Sequence, residues 1–121
     1  MTRTILAVDD SKSIRDMVTF TLQPLGYRIV PACDGRDGLD RFRREPVALV
    51  ITDLNMPVMN GIEMIRHLRA DPRGAGIPIL MLTTETSPEM KAQGKAAGAT
   101  GWLSKPFDAD MLVAVTRKLA G

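Results

Sequence analysis

Three short runs of this chain are apolar from end to end: Ile5-Leu-Ala-Val8, Val47-Ala-Leu-Val-Ile51 and Ile77-Pro-Ile-Leu-Met-Leu82. Each is too short for a helix and is built from aliphatic residues. A strand with one wet face alternates apolar and polar residues, whereas a strand covered on both faces does not. These runs therefore demand a sheet with helices above and below it. Two weaker candidates, Tyr27-Arg-Ile-Val30 and Gly101-Trp-Leu103, are of mixed polarity and suit the sheet edges.

Helical spacing fills the gaps between the runs. Ile14, Met17, Val18, Thr21, Leu22 and Leu25 follow the i, i+3, i+4 pattern, and Gly26 is placed to terminate that helix. Leu39 and Phe42 mark a second helix, opened near Asp34 and stopped before Pro46. Asn60 and Glu63 have capping-box spacing ahead of Ile62, Ile65 and Leu68. Ser87-Pro88 reads as an N-cap with proline in the first turn, and Gly98 closes that helix. Asp108 caps a last helix carrying Met111, Leu112, Val115 and Leu119. Strand then helix, five times over, predicts a parallel sheet joined by right-handed crossovers.

Composition narrows the function classes. The chain has 121 residues, enough for one core, and is expected to form a single domain over 1–121 with no output domain. Sixteen Lys and Arg against fourteen Asp and Glu leave +2, too little for a nucleic-acid binder. No apolar run approaches the roughly 20 residues of a membrane span, so a cytoplasmic protein is expected. The single cysteine, Cys33, excludes an internal disulfide and a cysteine metal cluster; a buried or half-buried setting is expected for it. His67 lies between arginines and reads as solvated surface. Asp34-Gly-Arg-Asp-Gly38 lacks the glycine register and closing Glu of a calcium loop, and there is no Walker or Rossmann glycine motif.

Ligands in open parallel sheets bind beyond the carboxyl ends of the strands. Asp9 and Asp10 follow the first apolar run, Asp53 the second, and Thr83 and Thr84 the third; Ser104, Lys105 and Pro106 follow the last strand. At about 4 Å and an effective dielectric near 20, each pair of like charges there costs on the order of 4 kcal/mol. A cation would offset that. Oxygen-only ligands without His or Cys suit Mg²⁺, with Mn²⁺ possible in its place. Metal, ammonium and hydroxyl around a carboxylate equip it to attack phosphorus.

The ordered motifs Ile5-Leu-Ala-Val-Asp-Asp10, Thr52-Asp-Leu-Asn-Met-Pro57 with Met59-Asn-Gly61, Leu82-Thr-Thr84 and Leu103-Ser-Lys-Pro-Phe107 span the chain. Together they resemble the receiver domain of two-component response regulators, in particular the stand-alone chemotaxis (CheY-like) subgroup. The resemblance implies a flavodoxin-like (βα)5 three-layer sandwich with strand order 2-1-3-4-5. It implies Asp53 as phosphoacceptor, with Mg²⁺ held by the side chains of Asp10 and Asp53, by the Asn55 backbone carbonyl and, through water, by Asp9. Thr83, with Thr84 beside it, would contact the phosphoryl group, Lys105 would pair with it, and the Lys105-Pro106 bond would be cis. Asn55 and Glu85 would tune dephosphorylation, favouring a short-lived signal.

The resemblance further implies a histidine kinase (CheA-like) as phosphodonor, a flagellar motor switch protein or other target downstream, and a phosphatase. No nucleic acid or membrane partner is expected, nor enzymatic activity beyond self-phosphotransfer and autodephosphorylation, and the chain is expected to be monomeric. The family usually has Tyr or Phe where this chain has Trp102, a departure at the aromatic that turns inward when the threonine moves. Lys91, Lys95, Trp102, Leu112 and Lys118 are expected to line an output face for an acidic amphipathic peptide. Met56 and Met59 flank the acceptor loop, where they could shape kinase contact. Competing readings are a phosphate sink or phosphorelay intermediate, and an aspartate-based phosphatase. The last is disfavoured because Leu54 and Asn55, not a second Asp, follow Asp53.

Overall fold

The first strand, β1 (Thr4–Val8), lies between β2 (Arg28–Ala32) and β3 (Leu49–Thr52) in a computed structural model that describes residues 2–85 and 87–121. Beyond β3 come β4 (Ile79–Thr83) and β5 (Gly101–Ser104), giving a five-stranded sheet in the order β2-β1-β3-β4-β5 with every pairing parallel. The three apolar runs occupy the centre and the two mixed runs the edges. This is the doubly wound, flavodoxin-like order expected.

The period of two divides each strand between two cores. Leu6, Val8, Val50, Ile79 and Met81 point into one core, and Ile5, Ala7, Leu49, Ile51, Leu80, Leu82 and Leu103 into the other. Helices α2 (Gly35–Arg44), α3 (Gly61–Ala70) and α4 (Pro88–Ala97) cover the first with Leu39, Phe42, Ile62, Met64, Ile65, Leu68, Met90 and Ala97. Helices α1 (Lys12–Leu22) and α5 (Ala109–Ala120) cover the second with Val18, Leu22, Leu112 and Ala120. Each large aliphatic side chain so buried contributes about 1.5–3 kcal/mol.

The caps predicted at Asp34, Asn60, Ser87 and Asp108 form, and Ser11 adds one for α1. Ser11, Asp34, Asn60, Ser87 and Asp108 each accept a backbone N–H from the residue three positions on, and Asn60 with Glu63 makes the full capping box. Gly98, at φ 120°, ends α4 in a backbone conformation few L side chains adopt. The Arg69 guanidinium then ties that corner together, donating to the carbonyls of Gly98 (2.7 Å), Gly74 (2.6 Å) and Ile77 (2.6 Å).

Four expectations need correction. The first helix does not run as α-helix to Gly26: α1 ends at Leu22, and Gln23–Leu25 form a tighter 3₁₀ turn with Leu25 exposed. Pro24 cannot donate to the α-helical ladder, and Gly26 ends the 3₁₀ turn instead. Met111 is exposed rather than part of the apolar face of α5. Leu112 is fully buried on the sheet side of that helix and cannot line an output face. Cys33 is exposed, because it sits just past the edge strand β2, where its backbone N–H donates to Asp37.

Candidate functional site

Hydrogen bonding continues one step past the strands and fixes the residues that follow them. The backbone N–H of Asp9 donates to Ala32 (3.1 Å), that of Asp53 to Val8 (2.9 Å) and that of Lys105 to Thr83 (2.9 Å). Each functional side chain therefore leaves a backbone already held in the sheet. Asp9, Asp10 and Asp53 each bring a carboxylate oxygen to within 4.8 Å of the others. Asp9 and Asp53 are buried and Asp10 is exposed.

Lys105 stands against the two buried acids, 2.8 Å from Asp9 Oδ2 and 3.5 Å from Asp53 Oδ2. The peptide bond that follows, Lys105-Pro106, is cis as expected. The other Asp9 oxygen accepts the Ser11 N–H (2.9 Å), and the Asp9 carbonyl accepts Arg15 Nη1 (2.6 Å). Asp9 is thus tied down on every side. Asp53 is not: Oδ1 accepts the Leu54 N–H at 2.7 Å, while Oδ2 lies 3.5 Å from the ammonium. Burial pushes the Asp53 carboxyl above its ordinary range; Lys105 pulls it down, and Asp9 pushes it further up.

Thr83 is fully buried, and its hydroxyl oxygen accepts the Glu85 N–H (3.0 Å), leaving the hydroxyl proton free to donate elsewhere. Thr84 and Asn55 are exposed. Glu85 turns its carboxylate to the Ser87 N–H at the start of α4 (3.2 Å). Trp102 stands apart from the acidic cluster, paired across the ladder with Met81 and packed toward α4. Met56 and Met59 pack onto the core behind the acceptor loop, and the Met59 carbonyl accepts the Gly35 N–H.

One contact was not anticipated. A Cβ built on Gly61, the first residue of α3, would stand 2.2 Å from the Asp53 carbonyl oxygen. The Gly61 N–H also donates to the Leu54 carbonyl (2.9 Å). The helix thus begins in direct contact with the acceptor loop, and only glycine fits there. A glycine in the first turn of a helix, where propensity disfavours it, was the available signal. Within the same loop Val58 holds φ 70°, strained for a β-branched residue.

Residues 5–117 match the sequence family described as the response regulator receiver domain. The chain is a receiver domain. It is 48% identical to the chemotaxis response regulator CheY4 of Vibrio cholerae, with a TM-score of 0.94 over 98% of this chain and 99% of that one. It is 37% identical to the DNA-binding dual master transcriptional regulator RpaA of Synechocystis sp. over 95% of this chain and 48% of that protein. The receiver domain of a Pseudomonas aeruginosa sensor histidine kinase, solved with a magnesium ion coordinated in its active site cleft, is 26% identical with a TM-score of 0.91 over 100% of this chain and 99% of that one. The receiver spans about half the length of the curated relatives it matches. Receiver domains belong to two-component signalling: they take phosphate from a histidine kinase and act on a downstream target. Among the described residues, no helix is long and apolar enough to cross a membrane.

Proposed function

We propose that this receiver is a phosphorylation-activated switch in which Asp53 accepts a phosphoryl group from a phosphohistidine of its kinase. The observation that carries this reading is the asymmetry of the Asp53 carboxylate. One oxygen is held by the Leu54 N–H, and the other is oriented toward an ammonium without a tight bond to it. Oδ2 attacks phosphorus, the P–N bond breaks, and the imidazole leaves with the bonding pair and takes up a proton. Lys105 balances charge on the transferring oxygens, and the Thr83 hydroxyl donates to one of them.

The acidic cluster suits a hard divalent cation, since its donors are all oxygen and three carboxylates outnumber one ammonium. Asp10 and Asp53 would hold Mg²⁺ (or Mn²⁺) through their side chains, Asn55 through its carbonyl and Asp9 through water. When bound, the ion neutralises charge on the phosphoryl oxygens. Asn55, exposed beside the acceptor, and Glu85 govern the water that later hydrolyses the acyl phosphate.

Chemotaxis is the favoured pathway, supported by end-to-end similarity to CheY4. The readout face is α4–β5–α5, where Lys91, Lys95 and Lys118 are exposed and a hollow of about 270 Å³ lies between Lys91, Lys95 and Trp102. Its basic, partly apolar character suits an acidic amphipathic peptide such as a motor switch segment. Incubation with a small-molecule phosphodonor and Mg²⁺ is expected to add one phosphoryl group to the parent protein and none to Asp53→Asn. Equal modification of the two would refute the assignment. Phosphorylation-independent binding to a flagellar switch peptide would favour the phosphate sink or relay.

A further inference from the structure

The indole of Trp102 and the bare backbone of Gly94 are shaped to one another. Trp102 lies on the α4 side of the sheet, among the partly buried side chains Met90, Ala97 and Ala99 that pack on that core. A Cβ built on Gly94 would stand 2.7 Å from Cζ3 of the ring, 3.5 Å from Cη2 and 3.7 Å from Cε3. The six-membered edge of the indole thus occupies the notch where a side chain would be. Gly94 is buried in the interior of α4, and its backbone is ordinary helix, so no conformational demand explains a glycine there. Glycine lowers helix propensity; the ring supplies the reason for it.

A second observation concerns what holds the ring. Its Nε1 is fully buried and, among the described residues, has no hydrogen-bond acceptor. No polar contact from those residues fixes the indole; shape does. An aromatic that swings in from solvent needs a place against α4 to receive it, and here the notch at Gly94 holds the ring.

We propose that Gly94 is a positioning residue that keeps Trp102 seated against α4 before phosphorylation. The output of this receiver then comes from movement of α4 over a ring already in place. Lifting α4 unseats the indole and lets its buried N–H reach water, so the setting of the ring reports the position of the helix. The inference rests on the reading of α4–β5–α5 as the readout face, and it names the element that carries the signal there.

Trp102 is the single tryptophan of the chain, so its fluorescence reports the ring directly. The resting parent is expected to emit in the blue and resist acrylamide quenching. Beryllofluoride with Mg²⁺ should move that emission to the red, as the ring leaves its seat. Gly94→Ala should move emission to the red and raise the quenching constant, while Asp53 is still phosphorylated as in the parent. A resting spectrum already typical of exposed indole that shifts blue with beryllofluoride would overturn the proposal, as would an unchanged spectrum in Gly94→Ala. Should Gly94→Ala fold poorly, urea midpoints in a double-mutant cycle decide. The same change in the Trp102→Leu background is expected to leave the midpoint equal or higher, and an equal loss in both backgrounds would refute the coupling. Failure of Asp53 to accept phosphate would sink the switch reading but leave the comparison of resting spectra intact.

Discussion

Replacing Gly61 with alanine sets a methyl group against the backbone of the proposed phosphoacceptor. The new Cβ would lie 2.2 Å from the Asp53 carbonyl oxygen and 3.2 Å from both the Asp53 carbonyl carbon and Leu54 Cα. Relieving the first contact requires a shift of about 1 Å to reach ordinary van der Waals distance. The helix cannot simply retreat, because the Gly61 N–H is bonded to the Leu54 carbonyl and the Asp53 N–H to Val8. Overpacking costs about 1–3 kcal/mol and a weakened hydrogen bond about 1 kcal/mol. Alanine returns about 0.5–1 kcal/mol through reduced chain entropy. The net loss is about 1–3 kcal/mol, which lowers a urea midpoint by roughly 1 M at the slopes of small domains. A displacement of about 1 Å at the reacting oxygen also costs up to about a hundredfold in phosphorylation rate. Urea unfolding followed by circular dichroism and phosphorylation followed by intact mass measure the two effects separately. Gly76→Ala is the control, since nothing lies within 4 Å of a Cβ there. A Gly61→Ala protein with the parent's midpoint and the parent's rate would refute the close approach of α3 to the acceptor.

Arg69→Met keeps an unbranched stem but removes the donors to the Gly74, Ile77 and Gly98 carbonyls. A loss of about 2–4 kcal/mol is expected in urea titration, and an unchanged midpoint would show that water replaces the guanidinium without cost. Lys105→Met removes the cation 2.8 Å and 3.5 Å from Asp9 and Asp53, so a divalent ion meets less repulsion there. Calorimetric titration should show Mg²⁺ binding tightened by about three- to tenfold, even as phosphorylation slows; weaker Mg²⁺ binding would contradict the placement of Lys105 beside the metal ligands.

Sheet and caps were legible because both are local. A buried strand announces itself by lacking alternation, and a cap by one oxygen-bearing residue three positions before its donor. The cluster of charges was legible for a related reason: in a parallel sheet every strand delivers its next residue to the same end, so Asp9, Asp53 and Lys105 converge by topology. The misreadings share the opposite character. Leu112 looked available for a surface until the stripe of α5 was set against the sheet, and Cys33 looked at least half-buried until β2 was seen to end one residue before it. Arg69 gave no signal, since its partners lie on segments distant in the chain or in the turn that follows α3.

The order of apolar runs and punctuating residues was enough to determine a doubly wound sheet with an acidic rim, because periodicity and capping act over a few residues at a time. Tertiary structure alone decided which glycines stand in close contact with another element. Gly61 against the Asp53 carbonyl and Gly94 beneath the Trp102 ring are set by distances between elements, and a missing side chain carries no trace in the sequence of what occupies its place.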